Sequence, residues 1–291
     1  MSKGQSDRIA ADWFEETLHK GFRARYRVEE ILHEFDSDHQ HLVLFRNEIF
    51  GHVLALNGVI QTTERDEFVY HEMLAHTPIL AHGAARDVLI VGGGDGGMME
   101  EVLKHKSVER VTLVEIDAGV IEFSKQHLKS ICGDAFDDPR ADIVIADGMA
   151  YVAETDRRHD VMIIDSTDPI GPGEVLFTEK FYKACKRCLA PGGVLVTQNG
   201  VPFMQGDELR HTIRALRPLF ADVGCYTATV PTYMGGCMAF GWACDDLNVR
   251  ATPLDALRER FAAAALETDY YTPEVHVGAF ALPRYIERLI A

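Results

Sequence analysis

The sequence predicts an α/β protein in which a small N-terminal antiparallel sheet precedes a doubly wound, mainly parallel sheet. From residue 87 onward, short continuous apolar runs alternate with helical segments, which is typical of strands buried on both faces. Before residue 80, apolar runs are instead joined by tight-turn residues, as in antiparallel hairpins. We therefore predict an N-terminal β-domain with its connecting helix over residues 1–80 and a doubly wound domain over residues 81–291.

The N-terminal region is predicted to hold one short helix, two strands and one longer helix, over residues 13–18, 41–45, 52–56 and 64–75 in that order. Asn57-Gly58 follows the second strand and is a strong signal for a two-residue hairpin turn, because both positions of that turn need a positive φ. Pro78 is expected beyond the end of the longer helix.

The remaining chain is predicted to alternate strands with helices. The strands are expected at residues 88–91, 111–114, 142–146, 161–165 and 194–198, and the helices at residues 96–106, 117–129, 148–154, 178–189 and 207–218. Two last strands, 223–230 and 238–243, are expected to end the sheet as an antiparallel pair with Gly235-Gly236 in their turn. The segment 253–266 is predicted to form a further helix.

The composition is that of a globular protein with an acidic charge balance. Of the 291 residues 47% are hydrophobic, and 29 basic against 45 acidic side chains give a net charge of −16. Such a protein repels nucleic acid and anionic membranes unless it has a basic patch, and the densest basic stretch is only the alternation at 23–27. With no run of ~20 apolar residues and no apolar leader, we expect a cytoplasmic protein with reduced cysteines.

A glycine-rich turn follows the first strand of the parallel sheet. Residues 92–97 read GGGDGG, and glycines allow the backbone to turn sharply and to approach a ligand closely. Glu115 ends the second strand 23 positions after Gly92, the usual distance for an acid that binds ribose hydroxyls. Asp95 disfavours a pyrophosphate, because it adds a negative charge to the turn. The pattern indicates a nucleoside site, although a tight turn with a helix-capping acid would have the same sequence.

Acidic residues also end the third and fourth strands. Asp147 is placed to reach an adenine amino group or to cap the helix that begins at Gly148. Asp165 and Asp168 lie in a loop that also contains two prolines and two glycines. Paired carboxylates suit a cationic amine, since one can bind an ammonium group while the other accepts a proton. A capping box or a solvated turn is the structural alternative.

Two sequence patterns resemble metal sites, but neither provides a complete set of ligands. His71 and His76 lie five positions apart on a helix, about 140° around its axis, and therefore cannot share one metal ion. Cys185 and Cys188 form a CxxC in a helical stretch without a second Cys or His pair nearby. We predict no metal site, and His71 stays a candidate pocket-lining group.

In combination, these motifs resemble those of the spermidine synthases, the polyamine aminopropyltransferases. The motifs are LNGVIQTTERDEF (56–68), YHE (70–72), GGGDGG (92–97), VEID (114–117), DPR (138–140), DG (147–148), DSTDPIGP (165–172), QN (198–199) and PTY (231–233). The resemblance extends from about residue 13 to residue 285, and it is nearest to bacterial enzymes of this length.

This resemblance implies a methyltransferase-like Rossmann catalytic domain behind the N-terminal β-domain, and a homodimer or homotetramer. It implies transfer of the aminopropyl group of decarboxylated S-adenosylmethionine to putrescine, which gives spermidine and methylthioadenosine. The donor is then a co-substrate, and no cofactor is expected. Nucleic acid and membranes are not expected as partners.

The resemblance also implies a role for each of twelve residues. Asp165 corresponds to the proton acceptor, and Asp95 corresponds to the acid that holds the ammonium group of the donor. The others are expected around the two substrates, with Gln40 and Glu115 at the ribose, Asp147 and Gly148 at the adenine, Pro172 in a gate loop over the nucleoside, and Tyr70, His71, Asp168, Gln198 and Tyr233 around the diamine.

Three alternative functions remain open at this level. An S-adenosylmethionine methyltransferase on the same scaffold is disfavoured by Asp95, which would face the carboxylate of the donor. A catalytically inactive paralogue that only binds ligands is disfavoured because Asp165, Asp168, Tyr70 and Gln198 are all present. An NAD-dependent oxidoreductase is the third alternative. The acceptor is left open among putrescine, cadaverine, agmatine and spermidine.

Overall fold

The computed structural model describes residues 9–10, 12–169 and 171–291, and it confirms the α/β fold. Residues 1–8, which carry the expectation of no leader, and Ile170 of the 165–172 motif lie outside the described residues, as do the side chains of residues 9–10 and 171–172. The strands are β1 (Ile9–Ala10), β2 (Trp13–Glu16), β3 (Ala24–Arg27), β4 (Glu30–Asp36), β5 (His41–Asn47), β6 (Gly51–Leu56), β7 (Val59–Thr63), β8 (Asp87–Gly92), β9 (Arg110–Glu115), β10 (Ala141–Ile145), β11 (His159–Asp165), β12 (Leu189–Gln198), β13 (Asp222–Ala228) and β14 (Met238–Cys244).

Eleven α-helices are found in the described part of the chain, with two short 3-10 helices at Ala135–Asp137 and Gly171–Phe177. The α-helices are α1 (Glu67–His82), α2 (Gly97–Leu103), α3 (Ala118–His127), α4 (Lys129–Cys132), α5 (Gly148–Glu154), α6 (Glu179–Cys188), α7 (Pro202–Leu216), α8 (Leu247–Arg250), α9 (Leu254–Ala264), α10 (Pro273–Ala279) and α11 (Arg284–Ile290).

The central sheet has seven strands in the order β10-β9-β8-β11-β12-β14-β13. Strands β8 to β12 pair in parallel, whereas β14 pairs antiparallel with both β12 and β13, as the sequence predicts. The chain passes from β8 to β9 on one side and returns to β11 on the other. The carboxyl ends of β8 and β11 therefore flank the switch point at which open α/β sheets bind their ligands.

The N-terminal region forms two antiparallel sheets, β1-β2-β3 and β4-β5-β6-β7. Asn57 (φ 51°) and Gly58 (φ 82°) both adopt positive φ between β6 and β7, which confirms the predicted hairpin turn. The predicted helix over 13–18 is wrong, because residues 13–16 form β2. Phe14 of this strand is buried and stacks on Phe45, with ring centroids 5.1 Å apart, while Trp13 points outward. Strand pairing with β3 and this alternate burial outweigh the weak helical spacing.

Helix α1 also differs from the prediction at its end. Pro78 lies inside the helix, which continues to His82 and ends at Gly83 with φ 76°. Proline costs a helical hydrogen bond, but Ile79 and Leu80 beyond it are buried in the main core. Tertiary packing of this last turn therefore offsets the local cost.

The four-stranded N-terminal sheet packs directly on the first helices of the parallel domain. Leu42, Leu44, Leu54 and Leu56 of β5 and β6 form one apolar cluster with Phe123 and other residues of α3, α4 and the segment between them. This contact holds the β4–β5 turn and the β6–β7 hairpin over the carboxyl edge of the parallel sheet. The small sheet thus provides one wall of the cavity described next.

Candidate active site

A cavity of about 420 Å³ opens at the carboxyl edge of the parallel sheet, under the N-terminal sheet. Eleven of the twelve predicted site residues line it, namely Gln40, Tyr70, His71, Asp95, Glu115, Asp147, Gly148, Asp165, Asp168, Gln198 and Tyr233. The twelfth, Pro172, lies in the 3-10 helix Gly171–Phe177, and its side chain is outside the described structure. The cavity therefore brings together residues from nearly the whole length of the chain.

Asp165 and Tyr70 form the centre of the cavity. The Tyr70 hydroxyl donates a hydrogen bond to Oδ1 of Asp165 at 2.5 Å, so that α1 fixes the orientation of the acid at the end of β11. Burial and the nearby Asp95 raise the pKa of Asp165 to about 6, although His71 and the Tyr70 hydrogen bond oppose this shift. A carboxylate with such a pKa can accept a proton near neutral pH.

His71 lies between two acids. Its Nδ1 is 2.5 Å from Oε2 of Glu67, and its Nε2 is 3.7 Å from Oδ2 of Asp95. Burial alone would lower the pKa of His71, but Asp95 and Glu67 outweigh it and raise the pKa to about 10. Gly97 makes room for this ring, since a Cβ at that position would lie 2.4 Å from Cε1 of His71.

His71, Asp95 and Asp165 also place one ligand atom each within 4.8 Å of one another, a spacing that could hold a metal ion. This triad has no signal in the sequence, where the two metal-like patterns are His71 with His76 and Cys185 with Cys188. His76 instead faces the protein interior, where its Nδ1 is 2.9 Å from Nε2 of His105. The three groups with Glu67 carry three potential negative charges and one positive charge, so they attract cations of any kind.

Backbone glycines bring the turn after β8 close to Asp165. The amide of Gly93 donates to the Asp165 carbonyl at 3.0 Å. A Cβ at Gly92, where φ is 87°, would lie 2.0 Å from that carbonyl oxygen. Only glycine allows this approach, which sets Asp95 opposite Asp165.

Glu115 forms the predicted nucleoside end of the cavity. Its Oε1 accepts the Asp117 amide at 2.9 Å, and burial, which outweighs this bond, raises the pKa of Glu115 to about 7. A Cβ at Gly94 would lie 3.1 Å from Oε2 of Glu115, so the glycine leaves the second oxygen accessible. Gln40 donates to Asp117 at 3.2 Å and so reaches this end from the N-terminal sheet.

Asp147 fulfils the capping role that its sequence also allowed. Its Oδ1 accepts the Ala150 amide at 2.9 Å at the start of α5, while the residue itself is exposed at the cavity. Gly148 packs tightly, since a Cβ there would lie 2.4 Å from Cγ1 of Val91. Asp147 thus has one carboxylate oxygen left for a ligand.

Asp168, Gln198 and Tyr233 surround the opposite end of the cavity. Gln198 donates to the Thr167 carbonyl at 3.3 Å and accepts the Gly200 amide at 2.9 Å, so both halves of its amide are already engaged. The Tyr233 hydroxyl donates to the Gln61 carbonyl and ties this end to β7. Burial raises the pKa of Asp168, although a hydrogen bond from Gln205 opposes the shift.

Sequence reasoning missed several polar residues of this end, among them Glu16, His19 and Gln205. Glu16 accepts the Ile60 amide at 2.9 Å, and burial raises its pKa. It was overlooked because residues 13–18 were interpreted as a helix. The alternation of Arg23, Arg25 and Arg27 with the apolar Ala24 and Tyr26 signals β3, the partner that makes β2 a strand.

The cysteines and the helices were also considered in the sequence as a disulfide or metal site and as membrane spans. All six cysteines are free thiols, and Cys185 and Cys188 are buried in the apolar core on one face of the sheet. Over residues 9–10, 12–169 and 171–291, no helix is long and apolar enough to cross a bilayer.

The chain is similar to known proteins over nearly its whole length. Residues 67–252 match the family model of the spermine/spermidine synthase domain, and residues 12–64 match that of the spermidine synthase tetramerisation domain. A polyamine aminopropyltransferase from Pseudomonas syringae pv. tomato is 58% identical over 273 residues, which cover 94% of this chain and 96% of the relative. Polyamine aminopropyltransferase 1 from Pseudomonas aeruginosa is 57% identical, over 95% and 97% of the two chains.

Two solved structures have the same fold. A crystal structure of spermidine synthase in complex with the transition-state analogue AdoDATO superimposes with a TM-score of 0.91 at 38% identity, over 97% of this chain and 96% of the other. Spermidine synthase from Thermotoga maritima gives a TM-score of 0.88 at 36% identity, over 97% and 95% of the chains. The chain belongs to the spermine/spermidine synthase family, a family of transferases.

Proposed function

We propose that this protein transfers the aminopropyl group of decarboxylated S-adenosylmethionine to putrescine, forming spermidine and methylthioadenosine. The observation that carries the proposal is the acidic pair Asp95 and Asp165 opposite each other between a nucleoside end and an acidic acceptor end. The donor bears a sulfonium and an ammonium group, and the acceptor arrives with two ammonium groups. The names of the relatives support the same substrates.

The proposed reaction is an in-line displacement. The acceptor ammonium gives a proton to Asp165, and its nitrogen lone pair attacks the carbon attached to the sulfonium. The new N–C bond forms as the C–S bond breaks. The electron pair of the C–S bond stays on sulfur and gives the neutral thioether. Because the leaving group is neutral, no oxyanion hole, metal or cofactor is required. Tyr70 holds Asp165, and alignment of the reactants supplies much of the rate.

Each remaining residue has a proposed binding role. Glu115 and Gln40 bind the ribose, Asp147 with Gly148 binds the adenine, and Pro172 contributes to the wall over the nucleoside. Asp95 holds the donor ammonium, flanked by His71. The distal ammonium of the acceptor lies near Asp168, with Gln198, Tyr233 and the newly identified Glu16 around it.

We also propose the organisation of the protein in the cell. The match of residues 12–64 to a tetramerisation domain supports a homodimer or homotetramer assembled through this N-terminal region. We propose that the enzyme is cytoplasmic, and the acidic net charge supports the absence of nucleic-acid and anionic-membrane partners. The division into an N-terminal domain over 1–80 and a catalytic domain over 81–291 is part of this proposal, with α1 as the connecting helix.

The test is to incubate the protein with decarboxylated S-adenosylmethionine and each of putrescine, cadaverine, agmatine and spermidine. We expect methylthioadenosine and a mass gain of one aminopropyl group, with putrescine the best acceptor. Methylated amines formed from ordinary S-adenosylmethionine would instead assign a methyltransferase. Absence of any product from the decarboxylated donor would contradict the proposal.

A further inference from the structure

Glu208 is a titratable group that the proposed reaction does not use. It lies on α7 outside the lining of the cavity, and its Oε1 is buried without a hydrogen-bond partner in the described structure. Burial, followed by the like charge of Asp168, raises the pKa of Glu208 to about 8. A carboxyl group in this state is protonated at neutral pH and is poised to ionise.

One amide group connects Glu208 to the acceptor end of the cavity. The Gln205 Nε2 donates to Oδ1 of Asp168 and lies 3.3 Å from Oε2 of Glu208. The amide cannot be turned round, because its Oε1 accepts the Val201 amide at 3.0 Å. Its two N–H bonds therefore face two carboxyl groups, and Gln205 itself lines the cavity.

Among the described residues, no lysine or arginine pairs with Asp168 or Glu208. On α7, Arg210 pairs with the exposed Asp207. From α6, the hydroxyl of Tyr182 faces Glu208, but its hydrogen-bond partner is Thr212. Within the described residues, His19 is the one basic side chain that lowers the pKa of Asp168, and no basic side chain shifts the pKa of Glu208. Glu16 adds a further negative charge facing Asp168.

We infer that Glu208 is a positioning residue for the acceptor, which acts through Gln205 to place a second negative charge behind Asp168 when an ammonium group binds there. The inference rests on the proposed function. An ammonium group beside Asp168 favours the ionised form of both carboxyl groups, so binding should release the proton that Glu208 holds in the empty cavity. This device favours a diamine, whose second ammonium reaches Asp168, over a monoamine of equal length with an uncharged end.

The experiment is a calorimetric titration of putrescine into the protein loaded with methylthioadenosine, in buffers of different ionisation enthalpy. Near pH 7, we expect the unaltered protein to release more protons than Glu208→Gln, which has nearly the same shape but no ionisable group. Above pH 8, Glu208→Gln should bind putrescine about 20-fold more weakly, as for one unit charge acting over ~9 Å at an effective dielectric near 20. Below pH 6 the affinities should converge, and kcat should stay within about twofold.

Asp207→Asn is the matched control, since this exposed neighbour should change neither proton release nor affinity. Equal proton release in Glu208→Gln and the unaltered protein, or an affinity loss that is the same at every pH, would overturn the inference. If the variant does not fold, the infrared difference spectrum of the unaltered protein at pH 7 decides: a protonated carboxyl band must disappear when putrescine binds. Failure of the unaltered protein to form methylthioadenosine would contradict the proposed function instead.

Discussion

Replacement of Asp165 by Asn should remove the proton acceptor while it keeps the shape of the site. An alkylamine has a pKa of about 10, so that only about one molecule in 1000 is neutral at pH 7. Asp165, with a pKa of about 6, is mostly ionised at that pH and can take the proton inside the cavity. Without it, the variant depends on the neutral fraction in solution. We therefore expect kcat/KM for putrescine to fall about 10³-fold at pH 7, which is within the usual range for a general base.

The deficit should depend on pH in a defined way. The neutral fraction of the amine rises about 100-fold between pH 7 and pH 9, so the deficit should shrink to about tenfold. The unaltered protein should also lose activity as the pH falls through about 6, because the raised pKa means that Asp165 is protonated below it. The variant should show no inflection near pH 6, because its activity should fall about tenfold per pH unit throughout this range as the neutral fraction of the amine falls.

The assay is chromatographic measurement of methylthioadenosine release from about pH 5.5 to about pH 9.5. Asp156→Asn is the matched control, because this carboxylate is fully exposed and outside the cavity lining. Methylthioadenosine should bind both variants nearly as well as the unaltered protein, since it is uncharged and its ribose and adenine sites are intact. Near-normal turnover of Asp165→Asn at pH 7, or a deficit that is constant with pH, would refute the reasoning.

Four further predictions concern the neighbours of this acid. Asp95→Asn should reduce the ratio of the affinities for the decarboxylated donor and for ordinary S-adenosylmethionine, measured by titration calorimetry. The reduction is at most about 10³-fold, as for unit charges ~4 Å apart at a dielectric near 20. An unchanged ratio would show that other residues select the donor. Tyr70→Phe should move the acid-side loss of activity above pH 6, because its hydroxyl lowers the pKa of Asp165; an unmoved profile contradicts this role. Gly97→Ala should lower the free energy of unfolding, measured by thermal denaturation, by about 1–3 kcal/mol, because the new methyl group clashes with the His71 imidazole. Gly278→Ala, which has open space around it, should not lower it. Dialysis against a chelator should leave turnover unchanged, and loss restored by zinc would identify the histidine–carboxylate triad as a metal site.

The order of elements in the parallel part of the fold could be predicted, and most of their bounds to within a few residues, although α7 and β12 each begin five residues before their predicted starts at residues 207 and 194. The helix predicted over 148–154 is found as Gly148–Glu154, and the strand predicted over 161–165 lies within His159–Asp165. Buried parallel strands have continuous apolar runs, and three of the helices between them, α3, α5 and α6, begin with a side-chain cap. The N-terminal region was harder, because β2 and β3 are four residues each and their alternation is too short to outweigh a helical interpretation.

The same distinction explains which site residues the sequence identified. Asp95, Glu115, Asp147 and Asp165 follow the carboxyl ends of parallel strands, so topology alone brings them to one edge. Their partners depend on tertiary contacts that no local pattern contains. The hydrogen bond from Tyr70 to Asp165 joins residues 95 positions apart; it orients the acid and opposes the rise in its pKa that burial and Asp95 cause.

Gln205 shows why a residue on a helix escapes this kind of prediction. Its backbone leaves helical geometry, with φ −120° and ψ 33°, and interrupts α7 near its beginning. This break lets the side chain fold back towards Val201 and the cavity. Gly200, with φ 56°, makes the fold-back possible, because a Cβ there would lie 2.6 Å from Oε1 of Gln205. A regular helix from residue 202 would direct Gln205 elsewhere, so the link between Asp168 and Glu208 exists only because a glycine and a helix break occur together.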